Sequence, residues 1–327
     1  MRRLGATWRR VRHHHDRWLL GAAAILLAAS FLNPSVMLER RSFEHVVVLD
    51  VTQSMNVTDV QLDGKPVSRL ALAKHALRQS LIELPCGSKV GWAIFTEYRS
   101  FLLIAPIEVC AHLSELRSTL EQIDGRMAWA GNSEIAKGVH SAIGVVKLLP
   151  GKPSLVFVTD GQEAPPLNPR YRPTFDDKPG DVSGVIVGVG GLVPSPIPRF
   201  DPDGRAMGYW QADQVMQTDL RSQGRSGNVK GEAMVDDRAG MVAPSLGAAP
   251  GSEHLSSLRE GYLRLLSREQ GLAFLRLETP KELTAALTAP GLARPVRARQ
   301  DVRVLLAGLA FCLLLARHVA WRRKSRH

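Results

Sequence analysis

The chain has 327 residues, of which 45% are hydrophobic and 22% are charged, and these values exclude a mainly disordered protein. Its three cysteines are too few for a small disulfide-framework fold, and no Cys-x-x-Cys pair indicates a zinc site. The net charge of +11 lies almost entirely at the ends, because residues 1–17 carry six arginines against one aspartate and residues 317–327 carry five basic residues and no acid. The region between is nearly neutral, so we expect no nucleic-acid partner.

Each basic tail is followed or preceded by an apolar segment. Residues 18–38 approach the length of ~20 residues that crosses a bilayer, and we predict a transmembrane helix there. We predict a second transmembrane helix at 302–321, around the apolar run 304–316. The alternative for the first segment is a cleaved signal peptide, since Ala28, Ala29 and Ser30 are small enough for cleavage. The alternative for the second segment is a buried or interfacial helix.

The basic tails also predict the topology. Lys and Arg concentrate in the cytoplasmic flanks of membrane segments. The tails 1–17 and 322–327 are therefore expected to be cytoplasmic, and the body between the spans is expected to lie in the periplasm, held at the inner membrane of a bacterium.

The body, residues 40–290, alternates strand and helix patterns. In chain order the patterns predict a strand at 45–50, a helix at 68–84, an antiparallel hairpin of strands 89–96 and 100–106, helices at 111–123 and 133–149, strands at 154–160 and 184–188, an insertion at 192–253, a helix at 255–267, a strand at 272–277 and a helix from Pro280. Strands joined by crossover helices predict an α/β fold with a doubly wound, mainly parallel sheet and one antiparallel edge strand.

Oxygen-bearing side chains follow the strands of this predicted sheet. Asp50, Thr52 and Ser54 alternate after the first strand, Ser133 begins a helix, and Asp160 ends a later strand. Ligands bind outside the carboxyl ends of the strands in such sheets. Carboxylate and hydroxyl oxygens suit hard divalent cations, so we predict a metal site made of these five residues, with Mg²⁺ as first choice and Mn²⁺ or Ca²⁺ as alternatives.

The three loops resemble the metal-ion-dependent adhesion site of von Willebrand factor A-type domains, whose pattern is D-x-S-x-S, a Thr, and an Asp before Gly. Here Thr52 replaces a Ser and Ser133 replaces the Thr, and both changes keep the hydroxyl. The resemblance covers about residues 44–290. It implies a von Willebrand A, Rossmann-like fold and a non-enzymatic module that binds a protein partner through an Asp or Glu on the metal. The alternative is a retained fold with a degenerate metal site.

Two flanking spans make the chain similar to the membrane-anchored members that accompany MoxR-type AAA+ ATPases. The stretches 54–71 (SMNVTDVQLDGKPVSRLA), 95–106 (FTEYRSFLLIAP) and 158–166 (VTDGQEAPP) resemble accessory proteins of bacterial methanol oxidation. This second resemblance implies a role in maturing a periplasmic quinoprotein dehydrogenase, through its assembly or its Ca²⁺ loading.

Cysteines and the insertion offer two further expectations. Cys86 precedes the first hairpin strand and Cys110 follows the second, so a disulfide between them is expected, with two buried free thiols as the alternative. Within the insertion, Gly208-Tyr209-Trp210 indicates a partner-specific surface, whereas the glycine-rich stretch 223–252 is equally typical of disorder.

Two alternative functions are also consistent with the sequence. A strand that ends in Asp50-x-Thr52 is also found in phosphotransferases and phosphatases with an aspartyl nucleophile. The spans could instead belong to a structural subunit of a membrane complex.

A last group of acids offers calcium ligands, although turn roles beside Pro and Gly are the simpler interpretation: Asp176, Asp177, Asp181, Asp201 and Asp203.

Overall fold

The computed structural model describes residues 18–32, 34–167, 171–201, 203–217, 233–236 and 251–324. The chain divides into two compact units, one formed by residues 1–40 and 295–327 and the other by residues 41–294. The predicted basic tail 1–17, the final residues 325–327 and most of the glycine-rich stretch 223–252 lie outside the described residues.

A six-stranded sheet forms the centre of the larger unit. From one edge to the other its strands are Ala273–Arg276 (β15), Gly184–Gly188 (β9), Ser154–Thr159 (β7), Glu44–Asp50 (β2), Lys89–Thr96 (β5) and Arg99–Glu108 (β6). Only β6 runs antiparallel to its neighbour, and the other neighbouring pairs are parallel. The prediction of an α/β fold with a mainly parallel sheet and one antiparallel edge strand is confirmed.

Helices cover both faces of this sheet. Arg69–Glu83 (α2), Leu113–Gln122 (α3) and Pro280–Leu287 (α6) pack on one face, and Ile135–Leu148 (α4) and Glu260–Gln270 (α5) pack on the other. Side chains of a strand alternate between the two faces, so Val46 and Val48 enter one core and Val47 and Leu49 the other. Burial on both sides explains why β2 reads as an unbroken apolar run.

Local signals set the bounds of α2. The Ser68 hydroxyl accepts a hydrogen bond from the amide of Ala71 at 3.1 Å and caps the N-terminus. The helix ends at Glu83, two residues before Pro85, which cannot continue it. Arg69 therefore occupies the first turn of α2, a position that matters for the site.

Short strand pairs that the sequence patterns did not predict lie around the sheet. They are Val60–Leu62 (β3) with Lys65–Val67 (β4), Tyr171–Thr174 (β8) with Ala233–Asp236 (β13), Ser195–Pro196 (β10) with Leu255–Ser256 (β14), and Pro198–Phe200 (β11) with Ala206–Tyr209 (β12). Within the insertion 192–253, β11 and β12 pair with each other, whereas β10 and β13 pair with strands outside the insertion.

The predicted start of the helix 255–267 was wrong. Leu258 donates its amide to the carbonyl of Gly191 at 2.8 Å, and Arg259 donates to the carbonyl of Asp160 at 2.9 Å. These bonds hold the segment against the ends of two strands, so α5 begins only at Glu260. Periodicity alone carried no sign of these long-range bonds.

The smaller unit contains two helices and a strand pair. Residues 18–30 form a helix (α1), Ser35–Ser42 (β1) pairs with Arg294–Asp301 (β16), and Arg303–Lys324 forms α7. α1 stops short of the predicted segment 18–38, since Pro34 interrupts the helical pattern and β1 follows. Among the described residues, no helix combines the length and the apolar character needed to cross a bilayer.

The edge hairpin is closed by a disulfide. Cys86 lies just before β5 and Cys110 just after β6, and their Cα atoms are 5.3 Å apart in the bridged pair. The third cysteine, Cys312, is free and exposed in α7.

Candidate functional site

The predicted site lies at the carboxyl ends of the two central strands. Asp50 is the last residue of β2, and Asp160 directly follows β7. Because β2 and β7 are neighbouring parallel strands, their carboxyl ends share one edge of the sheet. The Thr159 hydroxyl at the end of β7 donates to the Asp50 carboxylate at 2.6 Å and joins the two loops directly.

Asp50 is completely buried and fully hydrogen-bonded. Its Oδ1 atom accepts from the amide of Thr52 at 2.9 Å and from the Thr52 hydroxyl at 2.6 Å, while Oδ2 accepts from Thr159. Burial, and then the nearby charge of Asp160, raises the pKa of the Asp50 carboxyl well above its usual range. The carboxylate thus acts inside the protein by orienting the Thr52 hydroxyl.

Thr52 and Ser54 are presented by a tight turn. The chain leaves β2 and forms a single 3₁₀ turn over Gln53–Asn56, which places the two hydroxyl oxygens 3.5 Å apart. The Thr52 hydroxyl donates its hydrogen bond to Asp50, so the lone pairs of its oxygen remain available to accept a hydrogen bond or to bind a cation.

Ser133 is held between two other loops by its backbone. Its amide donates to the carbonyl of Ala164 at 2.6 Å, and its carbonyl accepts from the Ala164 amide at 2.8 Å, while Glu97 pairs with it from the hairpin turn. Ser133 is 3% exposed, and its Oγ has no hydrogen-bond partner among the described residues. A buried hydroxyl without a partner is unfavourable, so this oxygen is suited to bind a ligand.

Asp160 is paired with an arginine that the sequence did not point to. Arg69 donates from Nη1 to Asp160 Oδ2 at 2.5 Å, and the Ser256 hydroxyl donates to the same oxygen at 3.1 Å. The other carboxylate oxygen accepts the amide of Gln162 at 2.9 Å. Both oxygens of Asp160 therefore already have protein donors.

Arg69 is the centre of a buried network. It binds both oxygens of Asp59 at 3.0 and 2.6 Å and also contacts the hydroxyl and carbonyl of Ser256. Burial disfavours its charge, but Asp160 and Asp59 outweigh that effect and raise the pKa of Arg69. Asp59 in turn accepts the amide of Gly191, where the insertion begins. The available signal was a cation in the first turn of a helix, where the helix dipole disfavours it.

A cavity of about 220 Å³ opens beside these loops. Thr52, Ser54 and Ser133, hereafter the hydroxyl cluster, form one part of its wall. The insertion contributes an apolar part and the carboxylate of Glu253, and Asp50 and Asp160 do not line the cavity. The lining residues from the insertion and its border are Ile197, Trp210, Gln214, Val215, Met216 and Glu253.

Trp210 is fixed within this wall. Its indole Nε1 donates to the side chain of Gln53, and the guanidinium of Arg199 lies 4.8 Å from its ring centroid. Trp210 belongs to the aromatic stretch that the sequence indicated as a partner surface, and the structure places it at the cavity rather than apart from it.

The residues present fit a divalent cation in part. The hydroxyl cluster offers neutral oxygens on a shared wall, and the unpartnered Ser133 Oγ belongs to a residue whose backbone is paired with two other loops. The network around Asp160 limits the ligand set, because a cation next to Asp160 has to share that carboxylate with Arg69. The predicted five residues are thus brought together, but as three wall residues with two carboxylates behind them.

Four of the remaining acids that the sequence singled out have partners in the structure: Asp177, Asp181, Asp201 and Asp203. Asp177 accepts from His140 at 2.5 Å and from Lys147 at 3.0 Å, and Lys147 also binds Asp181 at 2.7 Å. Asp201 accepts the amide of Arg205 at 2.7 Å within a turn. Asp201 thus has the turn role that was the simpler interpretation, whereas Asp177 and Asp181 form ion pairs that the sequence did not predict.

No protein-family profile and no curated protein sequence matches the chain. Among solved structures, an aerotolerance-related membrane protein of Bacteroides fragilis is similar with 16% identity and a TM-score of 0.46, over 75% of this chain and 96% of that one. The ArnB paralog VWA2 of Sulfolobus acidocaldarius has 10% identity and a TM-score of 0.36, over 78% and 46% of the two chains.

A von Willebrand factor type A protein of Catenulispora acidiphila has 10% identity and a TM-score of 0.31, over 82% of this chain and 43% of that one. The chain therefore spans less than half the length of the last two structures. The structural neighbours of the chain include von Willebrand factor A-type proteins.

Proposed function

We propose that the larger unit is a non-catalytic module that binds a protein partner in a manner that depends on a divalent cation. The observation that carries the proposal is the buried, unpartnered hydroxyl of Ser133, which lines a cavity together with Thr52 and Ser54. Hard cations such as Mg²⁺ are bound by oxygen ligands and keep positions for water or a partner oxygen.

Each part of the chain has a distinct task in this proposal. The hydroxyl cluster holds the cation, and Asp50 orients Thr52 by accepting its proton in a hydrogen bond. The Arg69–Asp160 ion pair fixes the loop after β7 next to the turn that carries Ser54. A bound cation supplies an open coordination position for a carboxylate oxygen from an Asp or Glu of the partner.

The burial of Asp50 supports a non-enzymatic role. An aspartyl nucleophile needs an oxygen that a substrate can reach. Asp50 is 0% exposed, and both of its oxygens accept hydrogen bonds from the protein. Failure to trap a beryllofluoride or phosphate adduct on Asp50 is expected, and a stoichiometric adduct would support the phosphotransferase alternative instead.

Cation binding is tested with the purified full chain and Mn²⁺, whose free concentration is read by electron paramagnetic resonance. Ser133→Ala is expected to weaken Mn²⁺ binding at least about tenfold, because it removes a ligand from a small site. Ser118→Ala, on the exposed face of α3, is the matched control and should leave binding unchanged. Wild-type protein that binds no Mn²⁺, Mg²⁺ or Ca²⁺ would remove the basis of the proposal.

Partner binding is tested by cross-linking in membranes with and without a chelator. Adducts of the wild-type chain should be lost with the chelator and in Ser133→Ala, and retained in Ser118→Ala. Adducts that persist in all four conditions would favour the alternative of a structural membrane subunit with a degenerate site.

The membrane location is part of the proposal and rests on the sequence. The apolar segments 18–38 and 302–321 with their basic flanks support two anchors, cytoplasmic termini and a periplasmic body at the inner membrane. Retention of the full chain in carbonate-washed membranes, with an intact N-terminus, is the expected result. A mature N-terminus near residue 30 would show a cleaved signal peptide instead.

The physiological context we propose is maturation of a periplasmic quinoprotein dehydrogenase beside a MoxR-type ATPase. The sequence stretches quoted above support this context. Deletion of the gene should leave the dehydrogenase synthesised but inactive, and Ca²⁺ content of the purified dehydrogenase measures whether metal loading is the affected step. Normal dehydrogenase activity in the deletion strain would contradict this context.

A further inference from the structure

Glu253 occupies a distinctive position in the candidate site. Of the described residues that line the cavity beside the hydroxyl cluster, Glu253 alone has an ionisable side chain. Its side chain is buried, with 6% of the residue exposed. The sequence patterns did not single it out, because it lies at the end of the insertion, far from the three loops in the chain.

The two other acids near the cavity, Asp50 and Asp160, bind donor groups of the protein. Asp160 is in direct contact with the guanidinium of Arg69, and the two oxygens of Asp50 accept hydrogen bonds from Thr52 and Thr159. Neither residue lines the cavity. The wall that faces the cavity therefore combines neutral hydroxyls with a single carboxylate from the insertion.

Glu253 is held in place by both its side chain and its backbone. Gln162 donates from Nε2 to Glu253 Oε2 at 2.9 Å, and Glu253 donates its amide to the side chain of Gln217 at 3.2 Å. Arg259 donates to Gln162 Oε1 from two nitrogens, at 3.2 and 2.9 Å, which fixes the orientation of the amide. The carboxylate is thus preorganised at the cavity rather than free to rotate into solvent.

A carboxylate beside the three hydroxyls is the kind of ligand that a divalent cation requires. Mg²⁺ is usually bound through one or two carboxylates together with neutral oxygens and water. Three hydroxyls alone lack the negative charge that offsets the loss of the hydration shell. Arg259 is the opposing charge nearby, and Gln162 joins it to Glu253 through the hydrogen bonds described above.

We propose that Glu253 is the carboxylate that faces the bound cation, and that the insertion 192–253 therefore contributes to the metal site as well as to its apolar wall. This inference rests on the proposed cation binding at the hydroxyl cluster. A partner carboxylate then meets a cation whose charge is only partly offset by the protein. The position of the insertion and the occupancy of the site become linked, because the same residue serves both.

The test uses the purified full chain and Mn²⁺, monitored by electron paramagnetic resonance and repeated with Mg²⁺ by calorimetry. Glu253→Gln is expected to weaken Mn²⁺ binding at least about tenfold while the metal-free protein keeps its thermal midpoint, because the amide replaces the carboxylate without a change of size. Glu278→Gln, at a position whose side chain is 60% exposed, is the matched control and should bind as the wild type does. Glu253→Asp keeps the charge on a shorter side chain and should give an intermediate affinity.

The possible outcomes separate the two proposals. Wild-type protein that binds Mn²⁺, with equal affinity in Glu253→Gln, overturns the role of Glu253 and leaves the hydroxyl site intact. Loss of binding in Ser133→Ala together with weakened binding in Glu253→Gln supports both. Absence of binding in the wild type overturns both at once, through the proposed function.

Discussion

Arg69→Met is the substitution that best tests the buried network behind the candidate site. The side chains of Arg69 and Asp160 are 0% exposed, and that of Asp59 is 7% exposed. Removal of the arginine leaves two carboxylates without their cation in a water-poor interior. Breaking a buried ion pair by removing one partner costs about 3–5 kcal/mol, a large share of the roughly 5–15 kcal/mol that stabilises a domain.

The measurement is urea unfolding of the purified full chain, followed by circular dichroism. Arg78→Met is the matched control, because Arg78 pairs with Glu121 at the surface with side chains 34% and 48% exposed, and such pairs contribute about 0–1 kcal/mol. Addition of Asp160→Asn to Arg69→Met should restore part of the loss, since one unpaired charge disappears. Equal midpoints for the two methionine variants, or strictly additive losses in the double variant, would refute the reasoning.

Two further predictions concern the core around the site. Burial raises the pKa of Glu163 to about 8, from an ordinary value of 4.5. The contribution of Glu163 to stability is therefore complete below pH 4.5 and is lost as the pH rises through 8. The urea midpoint of the wild type should fall over that pH range, and the midpoint of Glu163→Gln should fall less steeply. Within α4, a Cβ at Gly138 would overlap the ring of Phe95, whereas a Cβ at Gly144 meets nothing within 4 Å. Gly138→Ala should therefore cost about 1–3 kcal/mol and Gly144→Ala should gain up to about 1 kcal/mol, and thermal midpoints that move in the same direction would contradict the packing.

The central sheet could be predicted from the sequence because its signals are local. The run at 45–50 and the strand Gly184–Gly188 are short, apolar and rich in β-branched residues, and both strands lie within the sheet, covered on each face. The hairpin 89–106 was predicted from two apolar runs separated by a polar turn. The hydrophobic pattern of a segment indicates which of its residues are buried, and burial determines where these strands lie in the sheet.

The site could be predicted only in outline. Asp50, Thr52 and Ser54 stand next to one another in the chain, so their proximity follows from a single turn. Arg69 and Glu253 reach the same region from a helix start and from the end of the insertion, and no periodicity relates them to Asp160. The bonds that bring them together are long-range hydrogen bonds and ion pairs, which leave no local pattern in the sequence.

The ends of the insertion are both fastened to one buried salt bridge. Gly191 donates its amide to Asp59, and Ser256 binds Arg69 through its hydroxyl and carbonyl. Closure of a loop depends weakly on its length, and each doubling of length costs only about 0.6 kcal/mol once its ends are fixed. A change in the length of the segment between these anchors is therefore expected to alter the free energy of unfolding only slightly, provided that Glu253 and Trp210 keep their places at the cavity.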